Sequence, residues 1–196
     1  MKTKKHGTAA LLLILFLSFT GCSNDLEDVD GAMLIEQYDL AGRYKVQITP
    51  KMMGLAAITS GEHDAELINE GDGVLRLKFS GFQREPMPFE MSVDVKMRVK
   101  PGPNSELILE NIGGDFDADL PEGTSVINPD DIPGGIEVPE DALANGIHSN
   151  GKSSISGVYK MLTNIDGTEA INFEWNLEPN VGLPVVVNIR TNSKIE

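Results

Sequence analysis

Cysteine occurs once in these 196 residues, at Cys22, and that scarcity removes whole classes of chemistry. A single sulfur forms no internal disulfide and no thiolate zinc cluster, so the fold must rest on its apolar core. Positive charge is also short, with 16 Lys+Arg against 30 Asp+Glu and a formal charge of −14 at pH 7. So acidic a chain repels nucleic acid and anionic headgroups and offers little for a phosphate, and no nucleic-acid partner is expected. Histidine is rare, and His63 and His148 sit in Gly- or Asn-rich surroundings at no chelating distance, as surface histidines do. There is no Gly-x-Ser-x-Gly elbow and no readable Ser/His/Asp arrangement, while the acids are too many to single out a glycosidase pair. The chain reads as non-enzymatic, with no cofactor.

The one long apolar run is at the start. Lys2, Lys4 and Lys5 precede an almost unbroken stretch from Ala9 to Phe19, the layout of a secretory signal and too short to span a bilayer permanently. The run ends in Phe19-Thr20-Gly21-Cys22, which resembles the lipobox of bacterial lipoprotein signals, where the cysteine is lipidated and becomes the new N-terminus. That resemblance implies removal of residues 1–21 and an acyl anchor on Cys22. It also implies an outer-membrane location facing the periplasm or the cell surface. Without Lys2, Lys4 and Lys5 the remaining 175 residues hold 13 Lys+Arg against 30 Asp+Glu, a charge of −17, at the size of a single domain. Residues 22–40 read as a tether, with Asp25, Glu27, Asp28 and Asp30 and few apolar side chains. Acids directly after the cysteine resemble the surface-export signals of Bacteroidetes lipoproteins.

From Tyr44 onward the apolar period is two. Tyr44, Val46 and Ile48 alternate with Arg43, Lys45 and Gln47, and Leu75, Leu77 and Phe79 with Arg76, Lys78 and Ser80. The clearest run is Phe89, Met91, Val93, Val95, Met97 and Val99, set against Glu90, Ser92, Asp94, Lys96, Arg98 and Lys100. Ile171–Leu177 and Leu183–Ile189 repeat the pattern, with weaker strands near 66–69, 106–112 and 154–162. Gly, Pro, Asn and Asp clusters separate the runs. One dry and one wet face indicate antiparallel sheet. The expected fold is all-β, an up-and-down barrel of about eight strands over 41–196, with a β-sandwich as the alternative. Closure favours the barrel because it removes exposed edges.

Residues 113–153 interrupt this meander as an acidic insertion with nine acids and one lysine, in which Pro139–Asn145 is expected to form one short helix stopped by Gly146. Within it, Gly146–Ser153 spells a P-loop, GxxxxGK[ST], but strand-like Ser154–Tyr159 follows where a helix is needed, so the match is a coincidence. Asp115, Asp117 and Asp119 have the spacing that opens a calcium loop, yet Leu120 and Val126 stand where Gly and Glu belong. Extended, the three carboxylates share a face and either hold a cation such as Ca2+ or remain solvated.

The large inward residues are Phe79, Phe89, Met91, Met97, Phe173 and Trp175, with Tyr44 on the first strand. In an eight-stranded barrel they either fill the interior or line a cavity for one small ligand. The layout of lipobox, acidic tether and small barrel is similar to the calycin-like (lipocalin-like) lipoproteins of Bacteroidetes. Ala41-Gly42-Arg43-Tyr44-Lys45-Val46 resembles the Gly-x-Trp opening of a lipocalin, with Tyr44 for tryptophan, and Arg190 resembles the arginine packed across that aromatic. The resemblance implies a membrane-tethered barrel binding a small hydrophobic ligand or a protein partner; the inward apolar positions make Tyr44, Phe79, Phe89, Met91, Met97, Phe173 and Trp175 the expected walls of such a site. The alternatives are a filled interaction or inhibitor-like barrel acting through its acidic loops, and a fimbrial-type sandwich subunit.

Overall fold

The computed structural model describes residues 30–52, 60–132, 137–163, 167, 169–183 and 185–195. The signal segment, Cys22 and the acids at 25–28 lie outside them. Strands β1 (Gly42–Met52), β2 (Gly61–Gly71), β3 (Val74–Phe82), β4 (Glu90–Pro101), β5 (Leu107–Asp119), β7 (Ser154–Thr163), β8 (Glu169–Glu178) and β9 (Val185–Ile195) pair antiparallel in sequence order. Pairing of β1 with β9 closes the ring into an eight-stranded barrel. A two-residue strand, β6 (Ile147–His148), adds to the free flank of β5. Every long strand has a neighbour on both sides, so the sandwich alternative falls, and with it the exchangeable edge that a fimbrial-type subunit needs.

Alternation sets the inside. Tyr44, Val46 and Ile48 on β1, Leu75, Leu77 and Phe79 on β3, and Met91 through Val99 at every second position on β4 are all buried. The middle is aromatic. Phe173 stacks on Trp175 at 4.9 Å between ring centroids, meets Tyr159 at 4.8 Å, and is approached edge-on by Tyr44 at 5.6 Å. Trp175 is 0% exposed, and its indole N–H has no acceptor among the described residues. Packing has outweighed a hydrogen bond there, at a typical cost of about 1–3 kcal/mol. Gly157, opposite Trp175 on β7, makes room for the indole: a Cβ at 157 would sit 2.5 Å from Trp175 Cδ1.

One end of the barrel is shut by helix α1 (Gly31–Gln37), whose first turn Asp30 caps by accepting from Ala32 N–H at 2.9 Å. Leu34, Ile35 and Leu40 are buried in the barrel core, and Tyr44 donates its hydroxyl to Leu40 O at 2.8 Å. Burial and the nearby Asp39 carboxylate push that hydroxyl's pKa well up, so it stays a donor. The acidic tether read to residue 40 therefore gives way at Asp30 to a packed helix, because Leu34 and Ile35 on it and Leu40 just after it are buried against the barrel. The other end, the mouth, gathers the β3–β4 and β8–β9 loops and the long β5–β7 connection.

That connection begins later than the composition indicates. Residues 113–119 are the second half of β5, paired to β4 through Glu90–Lys96, with Phe116 and Ala118 buried and the three aspartates outside. Gly113 and Gly114 hid this, since they break the alternation at a register shift opposite Lys96 and Met97. Gly114 adopts φ 152°, and a Cβ there would fall 2.4 Å from Val95 Cα, so only glycine allows the strands to approach at this bend. The insertion is 120–153. Its expected helix is present as α2 (Glu140–Asn145), with Gly146 at φ 80° ending it.

The close approach of Gly157 and Trp175 makes a prediction. Gly157→Ala should destabilise the barrel by about 1–3 kcal/mol through overpacking, read as an earlier urea midpoint in Trp175 emission. An unchanged midpoint would mean that the indole can move aside.

Candidate functional site

At the mouth the barrel's strands leave a space that the insertion covers. Phe89 just before β4, Met91 of β4, and Phe116 and Ala118 of β5 line a cavity of about 70 Å³, beneath Ile132, Val138 and Ile147 of the insertion. The insertion is held to that position by its own core. Ile127, Ile132 and Leu143 are buried with the main cluster, and Ile127 N–H donates to Leu143 O at 2.8 Å. An acidic excursion has become a plug, apolar beneath and charged above. Glu122, Asp130, Asp131, Glu137, Glu140 and Asp141 are all exposed on its outer side.

The plug rejoins the barrel where β5 lacks its usual neighbour. β7 pairs with β5 only at Leu107–Glu110, and the returning segment lies along the remainder. Buried Ser149 is fixed twice: Phe116 N–H donates to its Oγ at 2.8 Å, and its own N–H donates to Phe116 O at 2.9 Å. Next to it, His148 Nδ1 lies 2.8 Å from Asp117 Oδ1 and Nε2 lies 2.9 Å from Asn145 O. Both partners are acceptors, so only the doubly protonated ring satisfies both contacts. The Asp117 hydrogen bond first, then the Asn145 carbonyl and the charges of Asp117 and Asp119, raise the pKa of His148. The P-loop lookalike is thus β6 and a turn leading into strand β7, as its flanking residues indicate.

The residues expected to line a ligand site separate into two groups. Phe89 and Met91 reach the mouth cavity. Tyr44, Phe173 and Trp175 belong to the packed aromatic centre, and Phe79 and Met97 are buried in the core away from the cavity. Asp115, Asp117 and Asp119 do share one face of β5, but they are committed separately: Asp115 accepts from Gly151 N–H, and Asp117 binds His148. Among the described residues no three His, Cys, Asp or Glu side chains converge to hold a metal ion. Nor does Arg190 cross the first-strand aromatic. It pairs with Glu174 at 2.7 Å on the outer wall, and the cation beside the Tyr44 ring is Lys194 Nζ, 5.9 Å from its centroid. Sequence reasoning missed Phe116, Ile132, Val138 and Ile147, although apolar residues among acids were a readable signal.

Where β5 and β7 splay, a solvent-facing groove of about 430 Å³ mixes apolar Ile108 and Ile155 with polar Glu110, Asn111, Ser156 and Glu178. Among the described residues no helix is long and apolar enough to cross a membrane. Compared with protein-family models, curated proteins and solved structures, the chain matches none.

The His148 latch is testable by its pH dependence. A folded pKa raised above the unfolded value of about 6.5 contributes stability that is complete below that value and is lost as pH climbs through the folded pKa. The urea midpoint of the wild type should therefore exceed that of His148→Gln most in acid, with the gap narrowing as the ring deprotonates. A gap that widens with rising pH would show that the ring is held neutral.

Proposed function

We propose that this chain is a lipid-anchored, non-enzymatic β-barrel lipoprotein of the outer membrane or cell surface, binding a protein partner through its plugged, acidic mouth. The observation that carries this reading is the filled interior. Trp175, Tyr44, Tyr159 and Phe173 occupy the centre with under 2% exposure. The cavity left over, about 70 Å³, is far below the roughly 300–1,000 Å³ of small-molecule sites. Anchoring is supported by Phe19-Thr20-Gly21-Cys22, with Lys2, Lys4 and Lys5 before the apolar run.

A second reading, carriage of a small hydrophobic ligand, is favoured by the wholly apolar lining of the mouth cavity around Phe89, Met91 and Phe116. It requires Ile132, Val138 and Ile147 to lift away. Native mass spectrometry of residues 23–196, made without the lipid and incubated with fatty acids and sterols, separates the two. A bare mass is expected. A reproducible added mass that disappears on denaturation would overturn the filled-barrel reading and select the carrier.

A further inference from the structure

Position in the chain and distribution of charge together bear on which way such a barrel faces. Asp30 and α1 lie at the closed end: a Cβ on Gly31 would meet Val99 O at 2.5 Å and Gly73 Cα at 3.1 Å, beside the β2–β3 turn. The described chain therefore starts at the end remote from the mouth. Seven residues separate Asp30 from Cys22, and the eight Cα-to-Cα steps between them span at most about 29 Å. An eleven-residue strand such as β1, tilted at about 40°, covers about 28 Å of barrel axis. A lipid on Cys22 could bring the mouth to the bilayer only with the tether fully stretched along the wall.

The insertion adds an observation from the mouth side. Residues 120–151 contain no Lys or Arg, and their six exposed acids all stand on the mouth side. Anionic headgroups would repel that face. The closed end has acids too, the exposed Asp30, Glu36, Asp39 and Asp72, but there Lys194 Nζ meets the Asp39 carboxylate at 2.6 Å and Met33 on α1 is 63% exposed.

We infer that the anchored barrel stands on the membrane with its α1 end against the lipid surface and its plugged mouth pointing away. This rests on the lipid-anchor reading above. It makes the α1 end, with Met33 at its apolar point, the bilayer-facing surface, and leaves the insertion open to partners from the surrounding medium.

The test uses the full lipidated chain in liposomes of phosphatidylethanolamine and phosphatidylglycerol that carry a bilayer-embedded quencher. Acylated Cys22 leaves no other thiol, so Met33→Cys and Glu140→Cys each accept one fluorophore, with Trp175 emission confirming the fold. Loss of emission is expected for the label at 33 and none for the label at 140. Equal quenching at both positions, or quenching at 140 alone, overturns the orientation while flotation with the liposomes upholds the anchor. A chain that fails to float, like a Cys22→Ala control, overturns the anchor and the orientation with it.

Discussion

The aromatic layer at the middle of the barrel is the constraint on which the rest depends. With one cysteine and so no internal disulfide, stability must come from burial, and eight strands enclose a space that side chains can just fill. Phe173 is the hub, in contact with Trp175, Tyr159 and Tyr44 from β8, β7 and β1. Aromatic pairs of this kind contribute about 0.5–1.5 kcal/mol each beyond the area they bury. That gain explains why the indole N–H is left without an acceptor and why β7 keeps a glycine at 157 in an otherwise strand-forming run.

A filled middle displaces every other feature to the ends and the outer wall. On the wall, cations are spent against anions. Arg76 chelates Asp94 through two nitrogens at 2.5 Å and also reaches Glu70, which Lys96 engages as well. These contacts depress the pKa of Asp94 and of Glu70, in each case mainly through the hydrogen bond to the cation. Exposed pairs contribute little individually, but they place nearly neutral charge along β2–β4. The insertion differs from the wall in holding six acids and no cation between 120 and 151. Its carboxylates therefore have no counter-charge on their own segment.

How much of this was legible follows from the pattern each element writes. Strands with one dry face announce themselves at period two, which is why β1, β3, β4 and β8 could be read directly from Tyr44, Leu75, Met91 or Phe173. The second half of β5 was missed because Gly113 and Gly114 interrupt the period and three aspartates on the wet face resemble a loop. α1 was missed because Leu34, Ile35 and Leu40 are sparse beside the acids before them, and only packing against the barrel makes them decisive. The walls of the supposed ligand site were read as one set because inwardness is periodic, whereas depth along the barrel axis is not. Phe89 and Met91 differ from Met97 only in height, and height requires the three-dimensional register.

That difference in height bears on the choice between carriage and plugging. For a hydrophobic molecule to enter, the insertion must surrender the burial of Ile132 and the partial burial of Val138 and Ile147. At about 1.5–3 kcal/mol for each fully buried aliphatic, and less for the partly buried pair, opening costs about 3–6 kcal/mol before any ligand contact forms. Such a cost weakens apparent affinity by about two to four orders of magnitude, unless ligand contacts replace what the plug gives up. The Ser149–Phe116 and His148–Asp117 contacts add to it, because they tie the returning strand to β5 next to Ile147. A carrier evolved for frequent exchange would not fasten its entrance with a buried serine held by two hydrogen bonds. A binding platform needs that fastening, since the acids on the plug can present a defined surface only if the segment beneath them stays in place.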